Sequence, residues 1–288
     1  MEFKTYLKRQ KASPKTIESH LKNIRSYQVW LDYEGLSPKV VHQKDILSYL
    51  QSCKEKGNSN RTLSHLLNSL RKYYRFLEVQ PSPCLHLQIK GIRKTVPSHL
   101  LTEEELTHLH QSYPENTSSQ KRDKLILSLL IHQALTTAEL IELATYDLDL
   151  IRNFIDIRKS RKGEYRRLEL NKNQVTQLKN YLKTIRPNLL QTSNQLTEQI
   201  FLTTGTNTEK HQLKNTLQKL MKRLKNQHPN FINARQLRSS RIALWLTKKN
   251  LREVQQLAGH RYISSTERYQ MKKIDDLQKE LDKYHPRS

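Results

Sequence analysis

Apolar side chains recur three and four positions apart through most of this chain, the spacing of helices with one buried face. In SPKTIESHLKNIRSYQVWLDYEG, Ile17, Leu21, Ile24 and Tyr27 follow at helical intervals, Ser13 stands as cap, Pro14 takes the first helical position and Gly35 closes the segment. VHQKDILSYLQSCKEKG repeats the pattern up to Gly57, and SNRTLSHLLNSLRKYYRFLEVQ adds a helix with Leu66, Leu70 and Phe76 on its apolar side. Residues 1–88 therefore predict a small helical bundle. Pro81, Pro83, Gly91 and Pro97 then interrupt the period and mark residues 89–100 as a linker. Thr102 and Glu105 form a capping box that reopens helical structure. KRDKLILSLLIHQALTTAELIELATYDLDL reads as a long buried helix, a break and a second helix. The period changes in NFIDIRKSRKGEYRRLEL, where alternation on either side of a Lys-Gly centre predicts an antiparallel hairpin.

Helices resume in NQVTQLKNYLKTI. Two more run from Leu237 to Leu246 and from Leu251 to Leu257, the latter stopped by Gly259. MKKIDDLQKELDKYHP gives a last amphipathic helix with Ile274, Leu277 and Leu281 on one face. The expected fold is mainly α: an N-terminal helical bundle, then a mostly helical domain over 101–288 with a small antiparallel β-sheet.

Charge narrows the function. The 288 residues hold 51 Lys+Arg against 27 Asp+Glu, a net charge of +24. The excess is spread along the chain, with 15 basic and 7 acidic side chains in residues 1–88 and 36 and 20 in the rest. A distributed basic surface suits a polyanion, and duplex DNA fits best because neutralised phosphates release counterions. Lys54, Lys56, Arg61, Arg71 and Lys72 are the bundle's candidate backbone contacts. No stretch approaches the roughly 18 apolar residues of a membrane span, and MEFKTYLKRQ lacks a signal-peptide core, so a cytoplasmic location is expected. Cys53 and Cys84 lack metal-ligand spacing, and only six glycines are present, which disfavours a glycine-rich phosphate cradle.

The segment LAGHRYISSTERYQ puts a Gly-His pair before Tyr269, nine residues beyond His260. On one continuous helix that interval would turn the tyrosine roughly half a turn away from the histidine. RYISS instead lets the chain turn back, with a new helix starting over Thr266 to Tyr269. With ARQLR upstream, this segment resembles the signature of the tyrosine recombinase (phage integrase) family: His-x-Leu-Arg, a helix pair, then Leu-Gly-His and a tyrosine nine residues on. Arg238, His260 and Tyr269 match the arginine, the histidine and the nucleophile. Residues 1–88 resemble the family's SAM-like core-binding domain, VPSHLLTEEEL the start of its catalytic domain, and RKSRKGEYRRLEL the hairpin that bears its lysine.

The resemblance implies a site-specific recombinase or integrase in which Tyr269 displaces a 5′ hydroxyl and holds the DNA as a 3′-phosphotyrosyl ester, with no metal and no cofactor. It implies a homo-oligomer on double-stranded DNA, a synaptic tetramer, with a second recombinase as an alternative partner and the C-terminal helix docking on a neighbouring protomer. Two arginines normally clamp the phosphate in this family. The first belongs to Gly-Leu-Arg-x-x-Glu-Leu, whose counterpart here is ALTTAEL, with Thr136 in the arginine's place. A hydroxyl carries no charge to the phosphate. Arg235 stands where the histidine of His-x-Leu-Arg belongs, and is the candidate to supply the missing charge. The hairpin lysine is Lys162, with Lys159 and Arg161 as alternatives. A recombinase-like DNA-binding protein with an impaired pocket, acting as accessory partner or regulator, is the competing expectation.

Overall fold

A computed structural model describes residues 2–91, 99–160, 163–193, 197–203 and 210–270. The chain divides into two compact units, Met1–Lys94 and Thr95–Ser288.

The first unit is a four-helix bundle of α1 (Phe3–Arg9), α2 (Pro14–Tyr33), α3 (Gln43–Glu55) and α4 (Asn60–Phe76). Ser13 caps α2 by accepting from the Thr16 N–H at 3.2 Å, with Pro14 at the first position. Ile17, Ile24, Tyr27 and Leu31 then face inward against Leu63, Leu67, Leu70 and Tyr74 of α4. Two polar pairs are buried with them: the Tyr27 and Tyr74 hydroxyls meet at 2.5 Å, and His20 Nδ1 meets Ser69 Oγ at 2.8 Å. Short α1, with Phe3 and Leu7 buried, packs onto the aromatic end of α4. Arg71 donates to the Leu87 carbonyl and ties the segment after α4 back to the bundle. Lys54, Lys56, Arg61 and Arg71 are exposed, while Lys72 is half-buried.

The second unit is built round α6 (Ser118–His132), buried over Arg122 and Asp123 and from Leu125 through Ile131. A helix apolar on every side belongs at the centre of a domain. Around it lie α5 (Glu103–Gln111), α7 (Thr137–Glu142), α8 (Lys172–Asn180), α9 (Arg186–Ser193), α10 (Lys210–Gln227), α11 (Ala234–Lys248) and α12 (Leu251–Ala258), and residues 264–270 form a final helical stretch, α13. A π turn over Tyr181–Ile185 joins α8 to α9. The Thr102–Glu105 box caps α5 as its sequence predicts.

The hairpin forms between β2 (Phe154–Ile157) and β3 (Arg166–Glu169), and β1 (Leu148–Asp149) completes an antiparallel sheet in the order β1-β2-β3. Ile155 pairs with both Leu148 and Leu168. The inward positions of the hairpin are Ile155, Ile157, Arg166 and Leu168. An arginine thus occupies a core position of β3 that strand alternation otherwise gives to apolar residues.

Helix α11 starts three residues ahead of the expected Leu237, because Asn233 caps it by accepting from the Gln236 N–H. Residues 99–101 already bond to α11: Gln236 Nε2 donates to the His99 carbonyl and the Leu101 N–H donates to Ser240 Oγ. Residues 92–98 of the expected linker and the expected C-terminal helix from Ile274 onward lie outside the described residues. Among the described residues, no helix is long and apolar enough to cross a membrane.

Candidate active site

Three chain reversals converge on one carboxylate, Glu139. The first is the loop between α6 and α7. Ala134 sits there in the left-handed region, φ 50°, where the family pattern has glycine. Thr136 then caps α7: its N–H donates to Glu139 Oε2 at 2.8 Å and its Oγ accepts from the Glu139 N–H at 3.2 Å. Threonine and glutamate three apart are a capping pair, which accounts physically for these residue types here.

The second reversal is the end of α12. Gly259 takes φ 64°, the left-handed turn that ends helices without a Cβ penalty. His260 follows, and its Nδ1 shares a hydrogen bond with Thr266 Oγ at 2.9 Å. Tyr269, one turn into α13, stacks on the imidazole with ring centroids 6.3 Å apart and planes 16° from parallel. The tyrosine ring also rests on a small apolar cluster of Ala134, Ile242, Val254 and Ala258.

The third is the hairpin. Its loop is stitched to the same turn, since the Glu164 N–H donates to the Gly259 carbonyl at 3.1 Å and Gly163 forms a bridge with His260. Glu164 also pairs with Lys159 at 2.8 Å and with Arg261 at 2.9 Å.

Arg238, half-buried on α11, joins the first two reversals by donating to the Ala134 carbonyl and, at 2.5 Å, to the Ala258 carbonyl. Its Nη1 lies 4.0 Å from Glu139 Oε2. The closer partner of Glu139 is Arg166, whose Nη1 and Nη2 grip the two carboxylate oxygens at 2.7 and 3.0 Å. Burial pushes the Glu139 carboxyl up, but the Arg166 hydrogen bonds and charge, helped by the Thr136 N–H and Arg238, hold it below the usual carboxylate range. Burial, then the charges of Arg238, Arg166 and Arg268, pushes the His260 imidazole down to about 4. His260 is therefore neutral near pH 7, a hydrogen-bond acceptor rather than a cation.

Arg238, His260 and Tyr269 thus come together. Arg235 lies one turn before Arg238, exposed, and forms no ion pair among the described residues. Lys159 is exposed and held by Glu164, and Lys162 and Arg161 lie outside the described residues. Arg166 is the participant that the motif reading passes over. Its signal was the parity of RRLEL, which sets position 166 in line with Leu168 and Leu170 on the buried side.

The chain matches two family models, the phage integrase N-terminal SAM-like domain over residues 1–80 and the phage integrase family over residues 99–274. It is 32% identical to the tyrosine recombinase XerC of Oceanobacillus iheyensis across 99% of this chain and 95% of that protein. The tyrosine recombinase XerA of Pyrococcus horikoshii is 27% identical across 98% of this chain and 92% of its own. Among solved structures, the XerH site-specific recombinase bound to a palindromic difH substrate, a post-cleavage complex, matches with a TM-score of 0.76 at 18% identity, covering 95% of this chain and 81% of that one. The Tn1549 transposon integrase in complex with circular intermediate DNA matches with a TM-score of 0.69 at 16% identity, over 93% of each chain.

Proposed function

The chain belongs to the phage integrase family of tyrosine recombinases, whose reaction is DNA strand cleavage and rejoining, and on that footing we propose that Tyr269 is the nucleophile of a site-specific recombinase. The observation that carries this is the stacking of Tyr269 on His260 beside Arg238, in a pocket closed by three chain reversals. Tyr269 Oη attacks a backbone phosphorus, a P–O bond to the tyrosine forms, and the P–O bond to the 5′ oxygen breaks. The phosphotyrosyl ester keeps the energy of the broken bond, so the reverse attack by a 5′ hydroxyl reseals the strand and frees the tyrosine.

Arg238 supplies positive charge to the non-bridging oxygens, where charge builds in the transition state. His260, neutral at working pH, accepts a proton or a hydrogen bond at the nitrogen that Thr266 does not hold. The proton for the leaving 5′ oxygen comes from the hairpin loop, with Lys162 as the donor.

The substrate is double-stranded DNA, a reading supported by the likeness to XerH bound to its difH substrate and to the Tn1549 integrase in complex with circular intermediate DNA. The charge of +24 suits it, and action in the cytoplasm as a tetramer on DNA completes the reading. Thr136 favours one second reading, an accessory recombinase-like protein that binds DNA and leaves cleavage to a partner.

Random duplexes enriched by binding to the chain, then nicked near their centre to trap cleavage, separate the two. A covalent adduct on denaturing gels with wild type and none with Tyr269→Phe is expected. Tight binding without any adduct selects the accessory reading.

A further inference from the structure

Glu139 is an acceptor for one arginine and a threat to another. It lies 4.0 Å from Arg238, the cation that the reaction needs on the phosphate, in a pocket where Thr136 brings no charge and His260 is neutral. A free carboxylate at that distance would close onto Arg238 and cancel its charge. It is not free. Arg166 takes both carboxylate oxygens, at 2.7 and 3.0 Å, and the Thr136 N–H takes Oε2 again at 2.8 Å.

Two independent features show that the surroundings are arranged round this grip. The side chain of Arg166 is 3% exposed, yet its Nε is buried without a hydrogen-bond partner among the described residues. Buried donors are seldom left unpaired, so the guanidinium is aligned on Glu139 at the expense of its own third donor. The turn above it is also shaped to fit. A Cβ on Gly259 would stand 2.5 Å from Arg166 Nη1 and 3.1 Å from its Cζ, so any side chain there would push the arginine's guanidinium from its place beneath the residue that leads into His260.

We infer that Arg166 is a positioning residue for strand cleavage: by sequestering Glu139 it leaves to the scissile phosphate the Arg238 donors that the Ala134 and Ala258 carbonyls do not take, and it supports the Gly259–His260 turn. The inference rests on the reading of Tyr269 and Arg238 as the cleavage machinery. It also explains how a pocket with Thr136 in an arginine's place keeps its remaining cation available. Among the described residues, the charged and titratable groups facing Glu139 are Arg166 from β3, Arg238 from α11 and His260 from the end of α12.

The test is a rescue. Arg166→Met frees Glu139 to pair with Arg238, and adduct formation on the nicked, binding-enriched duplexes slows about 100-fold, the scale of losing a preorganised charge. Adding Glu139→Gln removes the competing carboxylate and returns the rate to within roughly tenfold of wild type. The deficit of Arg166→Met also shrinks as pH falls, because the buried Glu139 carboxyl, left with Arg238 as its arginine partner, takes up a proton more readily than in wild type and so releases Arg238. Should Arg166→Met not fold, Arg166→Lys keeps the cation without the two-point grip, and its smaller deficit is likewise relieved by Glu139→Gln. A merely structural Arg166 would give a double variant no faster than the single one and a pH-independent deficit, which overturns the inference.

A second readout needs no cleavage. Inorganic phosphate is titrated while the Arg238 Nε–H resonance is followed, with Arg238→Lys fixing its assignment. Wild type saturates at lower phosphate than Arg166→Met, and equal affinities overturn the inference. If wild type forms no adduct, the nucleophile reading fails while this titration still decides the role of Arg166.

Discussion

The segments 134–140 and 257–269 meet in one pocket and have kept unequal shares of what the family's chemistry asks. In 257–269 the residue types follow the family pattern, and the fold brings them together: Gly259 turns left-handed, His260 is fixed by Thr266, and Tyr269 stacks on the imidazole. In 134–140 other residues stand in the pattern's places. Ala134 takes the left-handed turn in place of glycine, and Thr136 uses its hydroxyl to cap α7 where an arginine would point at phosphate. A helix start can be rebuilt round its own capping needs, whereas the nucleophile and histidine proposed here depend on side chains that nothing local replaces.

Substitutions that force each segment towards the other sharpen that contrast. The largest effect is expected at Gly259→Ala. A left-handed alanine costs about 1–2 kcal/mol, and its Cβ would collide with Arg166. The variant should lose about 2–3 kcal/mol in urea unfolding, with adduct formation falling alongside. A loss no larger than the backbone strain alone, about 1–2 kcal/mol, would show that the turn and Arg166 are not coupled.

Thr136→Arg runs the other way. It removes the α7 cap, a cost of about 1 kcal/mol, and restores a cation near the phosphate, raising the adduct rate roughly 10- to 100-fold. A variant that loses stability without gaining rate would mean the pocket has no geometry left for a second arginine.

Acid should weaken the second unit in a defined window. Burial above all pushes His260 and His132 down to about 4, with neighbouring arginines adding to it. In the unfolded chain both return to about 6.5, so the unfolded state takes up protons first as pH falls. Their contribution to stability is full above about 6.5 and is lost as pH falls towards 4. Urea midpoints should drop across this range, and His132→Gln should flatten the drop. An unchanged slope would contradict the burial assigned to these rings.

The smallest effect is expected at Ala134→Gly. Relief of the left-handed alanine, about 1 kcal/mol, is offset by losing a buried methyl worth about 0.8 kcal/mol, so stability should change by less than about 0.5 kcal/mol. A gain above about 1 kcal/mol would mean the methyl contributes nothing to the cluster under Tyr269.

Much of this was legible in residue spacing. The cap at Ser13, the box at Thr102 and Glu105, the hairpin about Gly163 and the stop at Gly259 each rest on local chemistry, and each is found in the structure. Helix α1, seven residues long, is too short to display a period and is held by contacts of Phe3 with α4. In the site, Arg238, His260 and Tyr269 could be read because they fall in one motif. Arg166 could not be assigned from a motif, since its role arises from Glu139, 27 residues away on another element. Only the alternation of β3 hinted that an arginine at 166 was pointing inward.

The most direct test is to digest the trapped protein–DNA adduct and locate the modified peptide by mass spectrometry. The account predicts a nucleotide linked through a 3′ phosphate to Tyr269. A nucleotide on another residue, above all the exposed Tyr262 seven positions earlier, would contradict it.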